Sequence, residues 1–264
     1  MGQRLISLAA GTVLDIDPET AVGVAAEAGF GGVGLWFDPL AWTDSMTERV
    51  RRRLDATGMV ALDIEPVILG RGSDSGERMI DIAAALGVHN VLMASGRAEH
   101  GAVVERLGAL CSYAASVHPQ LRIVLEFLPI FSVATLDQAA SIVTKVASPI
   151  AGVLVDTLHL ARSRGRPADL AQYDLSMFPY LQLADATSEP TDPSLAGLTD
   201  EALYGRLLPG EGVLPLAEVL TTVPDVAISV ELRSRVLVES FPDPLERASA
   251  VYIASRRTVD GAVL

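Results

Sequence analysis

With 264 residues, half of them hydrophobic, the chain can bury one large core, and its glycines and prolines are scattered rather than pooled, so no linker divides residues 1–264. A formal net charge of −13 repels a phosphate backbone and excludes nucleic acid as the expected partner. One cysteine, Cys111, excludes a disulfide framework and a thiolate metal cluster and fits a reducing cytoplasm.

In chain order, the first apolar run is RLISLA at 4–9; it is short, stops before Gly11, and Asp15 and Asp17 follow, which suits a strand and not a signal sequence. No run is long enough to span a membrane. PETAVGVAAEAGF has a helical start signal and a glycine stop, and GVGLW at 32–36 is the next strand. Between them Gly29-Phe30-Gly31-Gly32-Val33-Gly34 satisfies G-x-G-x-x-G, but it follows a helix and leads into a strand, the reverse of the dinucleotide-binding order. MTERVRRRLDATG is the second helix and MVALDIE at 59–65 the third strand; GRGSDSG at 70–76 is expected as a mobile connection before the helix SGERMIDIAAALG. NVLMA at 90–94, RIVLEF at 122–127, AGVLVD at 151–156, YLQLAD at 180–185 and AISVEL at 227–232 continue the alternation. The first seven runs begin roughly 27 to 32 residues apart, the length of one strand, one loop and one crossover helix. The pattern predicts an α/β fold, a parallel eight-stranded (β/α)8 TIM barrel forming a single domain over 1–264. A Pro/Asp/Thr-rich stretch at 187–199 is expected as an extended loop.

In such a barrel the chemistry collects at the C-terminal strand ends. Four late strands close on polar residues: Glu126, Asp156, Gln182 with Asp185, and Glu231. Alternation places Val124 with Glu126, Leu154 with Asp156 and Ser229 with Glu231 on common faces, pointing the carboxylates into the barrel mouth. Three carboxylates converging there would repel one another, and a divalent cation turns the same arrangement into a favourable one. Oxygen ligation favours Mn²⁺ or Mg²⁺, and the nearby His159 leaves Co²⁺, Zn²⁺ or Fe²⁺ open. The plain alternative for each residue is a carboxylate that caps the next helix or pairs with an arginine. Trp36, closing the second strand, is a candidate wall for a substrate ring, and Arg206 a candidate for binding an anionic or carbonyl group.

The series Glu126, Asp156-x-x-His159, Gln182-Leu-Ala-Asp185-Ala, Arg206-Leu-Leu-Pro-Gly-Glu-Gly212 and Glu231 resembles the xylose isomerase-like TIM-barrel superfamily of sugar isomerases and epimerases. The resemblance implies that Glu126, Asp156, Gln182 and Glu231 bind one divalent metal and that His159 contacts substrate and carries protons. Asp185 and Glu65 join the expected substrate-binding residues. Epimerases of the superfamily usually place histidine where this chain has Gln182, and the QLADA run followed by R-x-x-P-G-E-G looks more like the 3-dehydroshikimate dehydratase branch. Against that branch, the last strand ends in ELRS rather than Phe-Asn-Asp, and the third supplies Asp63 and Glu65 rather than histidine.

The expected reaction is abstraction of a proton beside the carbonyl of a small sugar or polyhydroxy ketone, through an enediolate, with Glu126 and Glu231 as the acid/base pair. Return of the proton to the other face gives an isomerase or epimerase of carbohydrate metabolism. Departure of a β-hydroxyl, aided by His159, gives instead a lyase, a dehydratase of a cyclic keto compound such as 3-dehydroshikimate or an inosose. A Schiff-base aldolase would need a strand-end lysine, and the only lysine, Lys145, lies in a helix. Endonucleases of the superfamily need several metals, many histidines and a basic groove, against four histidines and a charge of −13 here. A barrel that only binds a small polyol is the non-catalytic alternative. The expected partner is thus a small molecule, with no nucleic acid and no membrane, and self-association as a homo-oligomer is left open.

Overall fold

In the computed structural model, which describes residues 4–70 and 75–262, the eight apolar runs pair in parallel with their sequence neighbours and the last returns to the first. The strands are β1 Ile6–Leu8, β2 Gly32–Trp36, β3 Val60–Ile68, β4 Asn90–Ala94, β5 Arg122–Glu126, β6 Ala151–Asp156, β7 Tyr180–Leu183 and β8 Ala227–Val230. Between them run α1 Pro18–Ala28, α2 Asp44–Thr57, α3 Gly76–Leu86, α4 His100–Val117 and α5 Leu136–Val146. The short α6 Thr157–Arg162 and α7 Pro167–Leu170 precede β7, α8 Leu195–Tyr204 and α9 Leu216–Thr222 precede β8, and α10 Arg235–Ser240 and α11 Pro244–Gly261 close the chain. Among the described residues, no helix is long and apolar enough to cross a membrane.

Local chemistry accounts for the boundaries. Asp17 caps α1 by accepting from the backbone N–H groups of Glu19 and Thr20, ahead of Pro18 in the first turn. The first three helices end on Gly29, Gly58 and Gly87, all in the left-handed region that an ordinary side chain disfavours. The expected loop at 187–199 is shorter than its composition suggests. Ser194 accepts from Gly197 N–H at 3.1 Å and starts α8 inside it. The expected mobile connection lies largely at 71–74, outside the described residues.

The strand ends also differ from expectation in a way that matters. β7 stops at Leu183 and β8 at Val230, so Asp185 and Glu231 stand beyond the ladder. In β3 the pairing with β2 steps from Val33–Ala61 to Gly34–Asp63, leaving Leu62 as an extra residue. This bulge lets Leu62 and Asp63 both reach the barrel interior, where Leu62 packs with Leu92, Val124, Leu154 and Tyr180. Val124, Leu154 and Tyr180 lie two residues before Glu126, Asp156 and Gln182, so this apolar layer is the floor beneath the polar strand ends. The larger core lies outside the barrel, under the helices; Val103, Leu107, Leu110 and Cys111 of α4 belong to it. Burial pushes the Cys111 thiol up to about 11, which leaves it unreactive.

Candidate active site

Asp156 ends β6 and is the most constrained group of the site. Its Oδ1 accepts from the N–H groups of Leu158 at 2.7 Å and His159 at 3.1 Å, which starts α6 and turns the His159 ring back over the barrel. Its Oδ2 accepts from Arg206 Nη1 at 2.5 Å. Capping and arginine pairing are therefore both real for Asp156; Oδ1 is filled by its two N–H donors, and Oδ2 retains lone-pair capacity for a further partner. Glu126, ending β5, places Oε1 3.8 Å from His159 Nε2. Ligand atoms of Glu126, Asp156 and His159 lie within 4.8 Å of one another, all three residues buried, so the trio could hold a metal ion.

Gln182 sits beside Asp156 in the β6–β7 ladder, and its buried amide has no hydrogen-bond partner at either Oε1 or Nε2. An amide orphaned at both ends costs free energy unless something else satisfies it. A cation at the oxygen fits that need. Glu231 lies across Arg206, whose Nη1 is 3.0 Å from Glu231 Oε2 and also donates to the Glu231 carbonyl at 3.2 Å. Gly11 makes room for it: a Cβ there would come within 2.4 Å of Glu231 Oε1.

Electrostatics divides the carboxylates. Burial, then the charges of Glu231 and Asp156, push Glu126 well above the usual carboxylate range, against Arg206 and Arg233. Burial and the same crowding, first from Glu231 and then from Asp63 and Glu126, raise Glu65. Glu231 is raised by burial despite Arg206. For Asp156 burial also pushes upward, but Arg206 and His159 outweigh it and hold the group down. Burial lowers His159 to about 4, so its ring is neutral near pH 7 and free to ligate or accept a proton. Beneath them Asp63, the inward residue two before Glu65, accepts weakly from Ser229 Oγ at 3.4 Å and is raised to about 7 by burial and the Glu231 charge.

Above the carboxylates opens a cavity of about 610 Å³ whose walls include Glu65, Glu126, His159, Arg206 and Glu231, with Trp36, Leu128 and Phe131 as apolar sides. Trp36 and Glu65, expected at the substrate, both line this cavity. Two assignments are corrected. Arg206 is not a free cation: it is 3% exposed, with Nε held by the Ala202 carbonyl and Nη1 by Asp156 and Glu231. Asp185 is not a substrate contact, because its carboxylate accepts from the N–H groups of Ala186, Gly210 and Leu214. Its backbone also exchanges two hydrogen bonds with Leu207. That explains the R-x-x-P-G-E-G run: Gly210 takes a left-handed turn, and a Cβ on Gly212 would lie 2.3 Å from Asp185 Oδ1. The loop so anchored threads Arg206 between the extensions of β7 and β8, with Gly205 bridged to Ser234.

The sequence reading misses Arg233, whose guanidinium lies over the Trp36 ring at 5.9 Å and lines the cavity. Alternation continued past the strand, from Ser229 through Glu231, points to it. It also misses Tyr180 as an inward residue; its buried hydroxyl has no partner.

Comparisons place this geometry. A 3-dehydroshikimate dehydratase of Pseudomonas aeruginosa is 29% identical over 250 residues, covering 89% of this chain and 38% of that protein. The chain thus spans about two fifths of the length of this curated relative. Among solved structures, the IOLI protein with a bound zinc atom superposes with a TM-score of 0.83 at 19% identity, covering 98% of this chain and 99% of that one. A xylose isomerase-like TIM barrel/4-hydroxyphenylpyruvate dioxygenase fusion protein superposes at 0.81 with 22% identity, over 96% of this chain and 42% of that one. At these identities the structural likenesses carry the fold alone. The family model described as xylose isomerase-like TIM barrel matches residues 22–252, nearly the whole closed barrel with its strand-end carboxylates, and the chain belongs to that family.

Proposed function

We propose that this protein is a divalent-metal-dependent enzyme that removes a proton beside the carbonyl of a small polyhydroxy ketone, and that the product is set by loss of a β-hydroxyl from a cyclic keto compound. The observation that carries the reading is the buried cluster of Glu126, Asp156 and His159 under an open cavity, with the unpartnered Gln182 amide beside it. Glu126, Asp156, Gln182 and Glu231 would hold the ion, and Mn²⁺ or Mg²⁺ suits so oxygen-rich a set. When bound, it supplies Lewis-acid polarisation of the carbonyl and charge stabilisation for the enediolate.

The chain's own residues would do the proton work. Glu126, its affinity for protons raised by burial and by the charges of Glu231 and Asp156, is the base. His159, neutral and 3.8 Å from Glu126, is placed to pass that proton to a departing hydroxyl, which leaves as water. The dehydratase outcome is supported by the neutral Gln182 and by the name of the curated relative. Epimerisation is the second reading, favoured by Glu231 standing on the other side of Arg206 as a donor to the opposite face.

Turnover in deuterated water tests the reaction class across keto sugars, inososes and dehydroshikimate. Solvent deuterium should enter substrate or product at the carbon beside the carbonyl, and Glu126→Gln and Glu231→Gln should each lower turnover by about 10²–10⁴. Product free of solvent label, with near-normal activity in both variants, would establish a hydride shift in place of proton transfer.

A further inference from the structure

With Arg206 engaged by Asp156 and Glu231, and Arg162 by Glu201, the cations that remain open to the cavity stand out. Arg233 is one. Its half-buried side chain lines the same cavity as Glu65, Glu126 and His159, and no carboxylate of the described residues lies within ion-pair distance of it. Its charge nonetheless reaches the site, since it opposes the upward shifts of Glu65, Glu126 and Glu231. The guanidinium carbon lies 5.9 Å from the centre of the Trp36 ring, within cation–π range, and the side chain makes no ion pair among the described residues, so its N–H groups are available to a ligand. Its backbone is fixed too, because the Arg233 carbonyl accepts from Arg206 N–H and the next residue is bridged to Gly205. In a chain of net charge −13, a cation left without a carboxylate partner inside a cavity is a place for a negative group brought from outside.

We propose that Arg233, seated on Trp36, binds the carboxylate of the substrate, so that the site takes a cyclic hydroxy keto acid rather than a neutral sugar or polyol. An edge of the guanidinium offers a bidentate fork of two N–H groups, which matches the two oxygens of a carboxylate. Arg97, exposed on the cavity wall supplied by the β4 end, adds a second positive charge that favours entry of an anion. The inference rests on the proton-abstraction reading above, in which the carbonyl and its neighbouring hydroxyl lie over the Glu126–Asp156–His159 cluster.

Calorimetry on the Mn²⁺-loaded protein with catechol and 3,4-dihydroxybenzoate tests it, since the two present the same vicinal diol without and with a carboxylate. The parent should bind the acid about 10- to 100-fold more tightly than catechol, the range of a charge-assisted hydrogen bond. Arg233→Met should reduce that ratio to about threefold or less, and Arg233→Gln serves as a second variant should the first fail to fold. A parent ratio near one, or a ratio that survives in the variant, overturns the carboxylate subsite while leaving the diol chelated over the carboxylates. Failure of both ligands to bind the metal-loaded parent removes the chelation reading and the subsite with it.

Discussion

Arg206→Met tests the electrostatic frame of the site directly. Arg206 Nη1 lies 2.5 Å from Asp156 Oδ2 and 3.0 Å from Glu231 Oε2, and all three side chains are buried. Removing the cation leaves two unbalanced carboxylates, a change that costs about 3–5 kcal/mol when one partner of a buried pair is lost. In a domain of this size 1 kcal/mol moves the melting temperature by about 2–4 °C, so the metal-free variant should melt roughly 6–20 °C below the parent. A divalent ion at 100 times its Kd stabilises the parent by about 2.7 kcal/mol. In the variant the ion also supplies the positive charge that Asp156 and Glu231 have lost, so the rise in melting temperature on adding Mn²⁺ should exceed that of the parent by several degrees. Scanning calorimetry of both proteins, stripped and reloaded, reads this out. Adding Glu231→Gln to the variant should recover part of the loss by removing one of the two unpaired charges. A metal-free variant within 2 °C of the parent, or an identical metal effect in both, would refute the reasoning.

Gln182→His should keep metal binding and move preference toward Zn²⁺ or Co²⁺, and an unchanged ranking by competitive titration would show that the side chain is not a ligand. Asp185→Asn should lower stability by about 1–3 kcal/mol in urea titrations and raise proteolysis of the 205–214 loop, because it weakens three backbone hydrogen bonds; a variant as stable and as resistant as the parent would contradict the anchoring role. Asp63 holds its proton in the folded state up to about pH 7 and loses it near pH 3.8 when unfolded, so its contribution to stability falls as pH rises through that window, by at most roughly 4 kcal/mol. Urea unfolding of metal-stripped protein should therefore show Asp63→Asn gaining on the parent between pH 4 and pH 8, and parallel curves would contradict the shift.

The sequence carries the barrel clearly because each strand is a short aliphatic run and each of the first three helices stops at a glycine that the backbone requires. Glu126, Asp156 and Gln182 are legible for the same reason: alternation along a regular strand fixes which residues share a face. Legibility fails where the ladder is irregular or the partner distant. The extra residue Leu62 changes which β3 side chains turn inward, and no periodicity announces it. Asp185 and Arg206 have the residue types of a substrate site, yet Asp185 accepts backbone N–H groups 25 and 29 positions away and Arg206 pairs with a carboxylate 50 positions away. Such pairings are set by where a loop crosses the barrel mouth. Arg233 is hidden for a related reason, since Trp36 lies next to it only once β8 has closed against β1.

The apolar layer of Leu62, Leu92, Val124, Leu154 and Tyr180 has a kinetic consequence. Its side chains are at most 2% exposed, so among the described residues the barrel is stoppered below the carboxylates and traffic passes through the upper opening. A ring lodged in that opening cuts the proton-transfer groups off from bulk water for as long as it stays. Under the proposed dehydration, a water molecule released at depth has to wait behind the product, so the larger molecule leaves first and the smaller one follows.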